Sequence, residues 1–103
     1  MAIPGDWQNP IVAPVGQAQT GVDPKLLLPS RPDLLRKRLE AQRGLLLGAG
    51  VRLTPVKVTI EGVIFDGHHM VRAAAEEGKL IEVSIVAIIQ PPIGEMILDL
   101  PVR

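Results

Sequence analysis

The sequence contains no cysteine and no tyrosine, and only one tryptophan and one phenylalanine among its 103 residues. Without cysteine there are no disulfides, thiolate metal sites or thiol nucleophiles, although the compartment stays open, because an extracellular protein need not carry disulfides. With so few rings, the hydrophobic fraction of 47% is carried by Leu, Ile, Val and Ala, so the core has to be aliphatic. Neither sign of charge dominates, since eleven basic and eleven acidic residues cancel. That removes the whole-molecule positive field that attracts nucleic acid regardless of its sequence, and any such binding would need a local patch. The longest apolar-rich stretch, residues 80–89, falls far short of the roughly 20 residues of a membrane-spanning helix, so no membrane association is expected. No basic segment followed by an apolar run is visible near Met1, and no secretory signal is expected. The expected protein is soluble and cytoplasmic, with export as part of a toxin left open.

What is present fits one domain of ordinary size. Residues 1–24 form a Pro/Gly-rich arm in which Pro4, Pro10, Pro14 and Pro24 interrupt both helix and strand ladders. Trp7 in this arm needs a surface to pack on, either the parent domain or a partner, and the arm is a candidate for self-association or for binding another protein. Residues 25–90 carry the patterned elements. Residues 91–103 form an apolar tail.

Ser30-Arg31-Pro32-Asp33 has the form of a helix start, with Ser at the cap, Pro in the first turn and an acid three residues on. Leu34, Leu35, Leu39 and Leu46 then recur at roughly helical spacing against Arg36, Lys37, Arg38, Glu40 and Arg43. A helix over residues 31–47 is predicted, ended by Gly48 and Gly50. Val56, Val58 and Ile60 alternate with Lys57 and Thr59 as a strand with one buried face, and residues 63–65 resume after a turn at Glu61-Gly62, predicting a hairpin. Residues 68–77 read as a short helix capped by Gly78. Residues 80–89 read as a buried strand stopped by Pro91-Pro92. Helix, two strands, helix and strand in that order predict an α/β or α+β domain, with a small mixed sheet packed on two main helices.

The chemistry concentrates at residues 66–72. A strand that ends in Asp66-Gly67 and turns straight into a helix exposes the first N–H groups and the positive end of the helix dipole, a ready site for phosphate or carboxylate. Gly67 permits close approach or a positive φ. His68 and His69 lie in the first turn and Arg72 three to four residues on, so one face can gather several anion-binding groups. Asp66 can orient an imidazole, accept a proton or sit beside a divalent ion. Asp66, His68 and His69 are therefore the catalytic candidates. Gly67, His68, His69, Arg72 and Arg31 are the candidates for holding phosphate. No residue is assigned as a metal ligand, because adjacent histidines point apart and nothing completes a zinc shell. The basic cluster from Arg31 to Arg43 reads first as a solvated helix face. If Arg31 or a neighbour faces Gly67, it completes a cationic cleft for a polyphosphate.

Leu28-Pro29-Ser30, the following helix, Pro55-Val56-Lys57-Val58, residues 62–69, Arg72-Ala73-Ala74, Gly78 and the strand at residues 83–86 resemble the ParB/sulfiredoxin superfamily in order and spacing. The resemblance spans residues 26–88, and Asp66-Gly67-His68-His69 is its most specific part. It implies a nucleoside triphosphate or other phosphate ligand, with Mg²⁺ accompanying the nucleotide. Relatives with the Asp-Gly-His-His-Arg motif include free-serine kinases and ParB-like nucleases, some in bacterial toxin systems. Met70 stands where those relatives place arginine. The sulfiredoxin cysteine is replaced by His68, which excludes that reaction. No helix-turn-helix follows, so a ParB-type DNA-reading head is lacking. Three functions follow as expectations: a ParB-like nucleotide- or phosphate-binding domain with phosphoryl transfer or phosphodiester hydrolysis, a non-catalytic interaction module on the same fold, and a toxin-type nuclease.

Overall fold

A computed structural model describes residues 3–48 and 53–103, and Gly50, one of the two expected helix stops, lies outside them. In order, the elements are β1 (Ala18–Val22), a 3₁₀ turn (Pro24–Leu26), α1 (Arg36–Leu47), β2 (Val56–Val58), β3 (Ile64–Asp66), α2 (His68–Glu77), β4 (Ile81–Ile85) and a second 3₁₀ turn (Ile97–Asp99). The strands form one mixed sheet in the order β1-β4-β2-β3. β2 runs antiparallel to β3 and parallel to β4, while β1 is antiparallel to β4. The chain is an α+β domain of a four-stranded mixed sheet packed with two helices.

The alternating pattern positions this sheet. Val56 and Val58 are buried around exposed Lys57, and Ile81, Val83 and Ile85 are buried around Glu82 and Ser84. These side chains meet Val71, Ala74 and Ala75 of α2 in one aliphatic cluster that also takes in Leu27, Leu34, Ile64, Ile97 and Leu100. The alanines Ala73, Ala74 and Ala75 let the helix lie close to the sheet, since they add little bulk between the two backbones. Gly78 caps α2 with φ +68, donating its N–H to Ala74 and Ala75 carbonyls, as the sequence predicts.

Three expectations about element ends are corrected. α1 begins at Arg36 rather than at residue 31, and Leu35 at its N-cap makes no side-chain cap. Ser30, the expected cap, instead donates its hydroxyl to the Ile64 carbonyl at 2.7 Å. Residues 31–35 stay non-helical because the C-terminal segment pairs with them: the Leu34 N–H donates to Pro101, the Arg36 N–H to Arg103, and the Arg103 N–H back to Leu34. β4 stops at Ile85, and Ile89 is 94% exposed rather than part of a buried strand. β2 ends at Val58, leaving Ile60 half exposed in the turn.

The proline-rich segment is built into the domain. It supplies edge strand β1, buries Ile11 in the core, and directs the Trp7 indole N–H to the Leu26 carbonyl at 2.9 Å. Gln19 fixes its bend, accepting from Val12 and Ala13 and donating to the Pro10 carbonyl. The surface Trp7 needs is therefore the parent domain. The tail is docked as well, through Ile97 and Leu100.

Candidate functional site

β3 ends at Asp66, and the chain enters α2 through Gly67 at φ 107, ψ 24. A side chain is excluded there twice over. The left-handed backbone disfavours one, and a Cβ would sit 3.1 and 3.3 Å from the two Val56 methyls. No side chain caps α2, so the first turn presents backbone N–H groups that have no intrahelical partner.

That mouth opens into a cleft of about 710 Å³ between the two helices. Arg31, Arg38 and Gln42 line it from the α1 side, and Asp66, Gly67, His68 and His69 from the β3–α2 side. Leu45, Leu53, Pro55, Val56, Phe65 and Met70 supply an apolar wall. The Arg31 Nε donates to the Asp33 carbonyl at 2.9 Å, which holds the guanidinium while its Nη groups have no partner among the described residues. Arg38 likewise has no ion pair among them. Two cationic side chains and a set of backbone donors thus face one cavity.

The histidines are committed to the backbone. His68 Nε2 accepts the Ser30 N–H at 2.9 Å, with the Ser30 hydroxyl 3.3 Å away, and His69 Nε2 accepts the Leu35 N–H at 3.0 Å. An Nε2 that accepts a backbone N–H carries no proton, so each neutral ring has its proton on Nδ1. Both residues are more than nine-tenths buried. Burial, reinforced by the positive charge of Arg31 and the neighbouring His69, lowers His68 to about pKa 4 against the weaker opposing pull of Asp66. Burial also lowers His69, with Arg31 and Arg38 adding to it. The pair is neutral at physiological pH. In this arrangement both Nε2 lone pairs are engaged by backbone N–H groups, and the Nδ1–H groups remain as donors.

Arg72 is not part of this cleft. Its Nη1 donates to the Ile97 carbonyl at 3.1 Å and to Leu100 at 2.8 Å, and its Nε to Glu76 at 2.7 Å. Expected as a phosphate ligand, it instead clasps the C-terminal segment, whose Ile97 and Leu100 carbonyls lie within reach of its guanidinium on the packed side of α2. Burial of Glu76 works against its charge, but hydrogen bonds and charge from Arg72 and Arg43 outweigh that and hold its carboxyl below the usual range. Arg43 pairs with Glu40 on its own helix and with Glu76 and Glu77 on α2, the latter two tying α1 to α2. Met70, directly after the histidine pair, is 6% exposed and packs in the core while edging the cleft.

Nothing in the sequence marks Arg38 and Gln42 individually as site residues. Their i, i+4 spacing was a legible signal that the two share one helix face, but nothing local says that this face looks onto Gly67. No group of three or more His, Asp or Glu suited to a metal ion occurs among the described residues, and Asp66 is the one carboxylate lining the cleft. Comparison with protein-family models, curated proteins and solved structures finds no match to this chain, so the likeness to ParB-type domains rests on the residues quoted above.

Proposed function

We propose that this chain binds a phosphate-bearing ligand, a nucleotide or related phosphate ester, in the cleft at the mouth of α2. The observation that carries the reading is the meeting of an uncapped helix N-terminus with two arginines, Arg31 and Arg38, that have no ion pair among the described residues. Backbone donors and the helix dipole suit a phosphate, and guanidinium forks suit its oxygens. The Nδ1–H groups of His68 and His69 add neutral donors. The apolar wall at Phe65, Leu45 and Pro55 supports a ligand with a ring or other nonpolar portion beyond its phosphates. Mg²⁺ would arrive with a polyphosphate, neutralising oxygens that the arginines leave unpaired.

Titration calorimetry of the full chain against nucleoside di- and triphosphates with Mg²⁺, and against inorganic phosphate, tests this. Saturable binding is expected, weakened about tenfold by Arg31→Ala or Arg38→Ala. A folded sample giving no heat with any of these ligands refutes it.

A second reading, binding without turnover, is favoured by one observation: both imidazole Nε2 atoms are occupied by backbone N–H groups. Phosphoryl transfer or hydrolysis would then rest on Asp66 as the base. Nucleotide turnover measured alongside binding separates the two, because a binding module holds the ligand and releases no product. The toxin-type nuclease reading predicts plasmid degradation with Mg²⁺ or Mn²⁺ that His69→Ala abolishes, and the neutral overall charge ranks it below the others.

A further inference from the structure

We propose that His68 and His69 form a proton-sensitive latch: as neutral rings they hold residues 30–35, and Arg31 with them, against the mouth of α2, and protonation at Nε2 releases that segment. The geometry is symmetrical in function. One ring takes the N–H at the first residue of the segment, Ser30, and the next ring takes the N–H at the last, Leu35. Arg31 lies between the two pinned points and lines the cleft from there. The segment precedes α1, and its one helical hydrogen bond among the described residues is the one its last residue, Leu35, accepts from the Leu39 N–H.

An imidazolium has two N–H donors and no lone pair. Once protonated, each Nε2 would direct a donor at a backbone donor, and the bond becomes a repulsion. The charged groups facing the rings set the direction of the bias. Burial and Arg31 from the segment oppose charge on both rings, His69 adds to this at His68 and Arg38 from α1 at His69, the positive end of α2 acts in the same sense, and Asp66 from β3 favours charge at His68. Opposition prevails, so the latch is closed at neutral pH and opens on acidification. Leu34 and Arg36 remain tied to the C-terminal segment through Pro101 and Arg103, which makes release local to the cleft side.

The latch stands on these hydrogen bonds alone, and its consequence for ligand rests on the proposed anion site. That consequence has an unusual sign. Histidines that merely line an anion site would strengthen binding as they gain charge, whereas a latch that lets Arg31 go weakens binding as the pH falls.

Two measurements on the full chain test it. Nitrogen NMR of the histidine rings, with normalised exchange protection of the Ser30 and Leu35 amides, needs no ligand. Both rings are expected as Nδ1–H tautomers at pH 7, and the two amides are expected to lose protection as the rings titrate while Val83 in β4 keeps its own. Rings carrying the proton on Nε2, or amides indifferent to ring titration, overturn the latch. His68→Gln/His69→Gln places a non-titrating oxygen near each Nε2 position and should keep both amides protected across the same range; loss of protection there on acidification also overturns it. The second measurement uses inorganic sulfate, whose charge is constant over this range. Its affinity is expected to fall about tenfold on opening of the latch in the wild type and to stay flat in the double variant. Tighter sulfate binding in acid overturns the coupling. No sulfate binding at any pH, with the NMR behaviour intact, sinks the anion site and supports the latch alone.

Discussion

Replacing Gly67 with alanine loads the turn that shapes the mouth of α2, and the cost can be worked from two separate sources. The residue sits at φ 107, where an L side chain costs about 1–2 kcal/mol. The new methyl would also lie 3.1 and 3.3 Å from the Val56 methyls, and Val56 is only 3% exposed, so it has little room to move. Crowding of this kind adds about 1–2 kcal/mol. Together Gly67→Ala should destabilise the domain by about 2–4 kcal/mol, which for a chain of this size lowers the melting temperature by roughly 10–25 °C. A domain of ordinary stability, about 5–15 kcal/mol, survives this folded. Thermal and urea unfolding followed by circular dichroism read the loss, and a double-mutant cycle divides it. Val56→Ala alone should cost about 2 kcal/mol through the cavity it leaves. In the double variant the crowding disappears and the backbone strain remains, so the combined loss should fall short of the sum by about 1 kcal/mol or more. The reasoning fails if Gly67→Ala costs less than about 0.5 kcal/mol. Additivity of the two changes would show that contact with Val56 is not what reserves the position for glycine.

Acid should weaken the fold in a defined window. His68 is held at about pKa 4 in the native state against an ordinary 6.5, so the native form binds fewer protons; the stability this contributes is complete above pH 6.5 and is lost as the pH falls toward 4. The full shift corresponds to about 3 kcal/mol, and solvent in the cleft discounts it to about 2 kcal/mol, readable as a falling urea midpoint between pH 7 and 5 that His68→Gln flattens. Arg72→Ala should cost about 2–4 kcal/mol by stripping the bonds to Ile97, Leu100 and Glu76, and Arg72→Lys should not restore it, since one ammonium cannot reproduce the fork. The same Arg72→Ala protein, measured by calorimetry at a temperature where it is folded, should keep wild-type phosphate affinity; a large loss would return Arg72 to the site. Gly62→Ala should destabilise by about 2 kcal/mol in urea, because a Cβ at φ +83 would meet Asn9 Oδ1 at 2.6 Å and disturb the bond from Asn9 to the Ile60 carbonyl. Trp7→Phe should cost about 1 kcal/mol by the same assay through loss of the bond to the Leu26 carbonyl.

The integration of residues 3–24 changes what deletion of the arm would mean. Removing them takes away β1 and the core side chain Ile11. An altered mass or solubility after such a deletion would report a damaged sheet rather than a lost binding arm.

Sequence alone was enough for the features that arise between near neighbours. Alternation at residues 56–58 and the turn before Val63 produced the β2–β3 hairpin, and the run from His68 to Gly78 produced α2 with a glycine at each end in left-handed geometry. These depend on side-chain period and backbone sterics within a few residues, which the order of amino acids states directly. Tertiary structure decided the rest. Ser30 looks like a helix cap, yet its hydroxyl serves Ile64 and its amide serves His68, 38 positions away. Arg72 looks like a phosphate ligand and clasps residues 25 and 28 positions further on. The placement of the histidine pair at the mouth of α2 was legible, but not the use of its lone pairs. Each of these outcomes was a competition between a local partner and a distant one, and only the packed chain determines which of the two lies within reach.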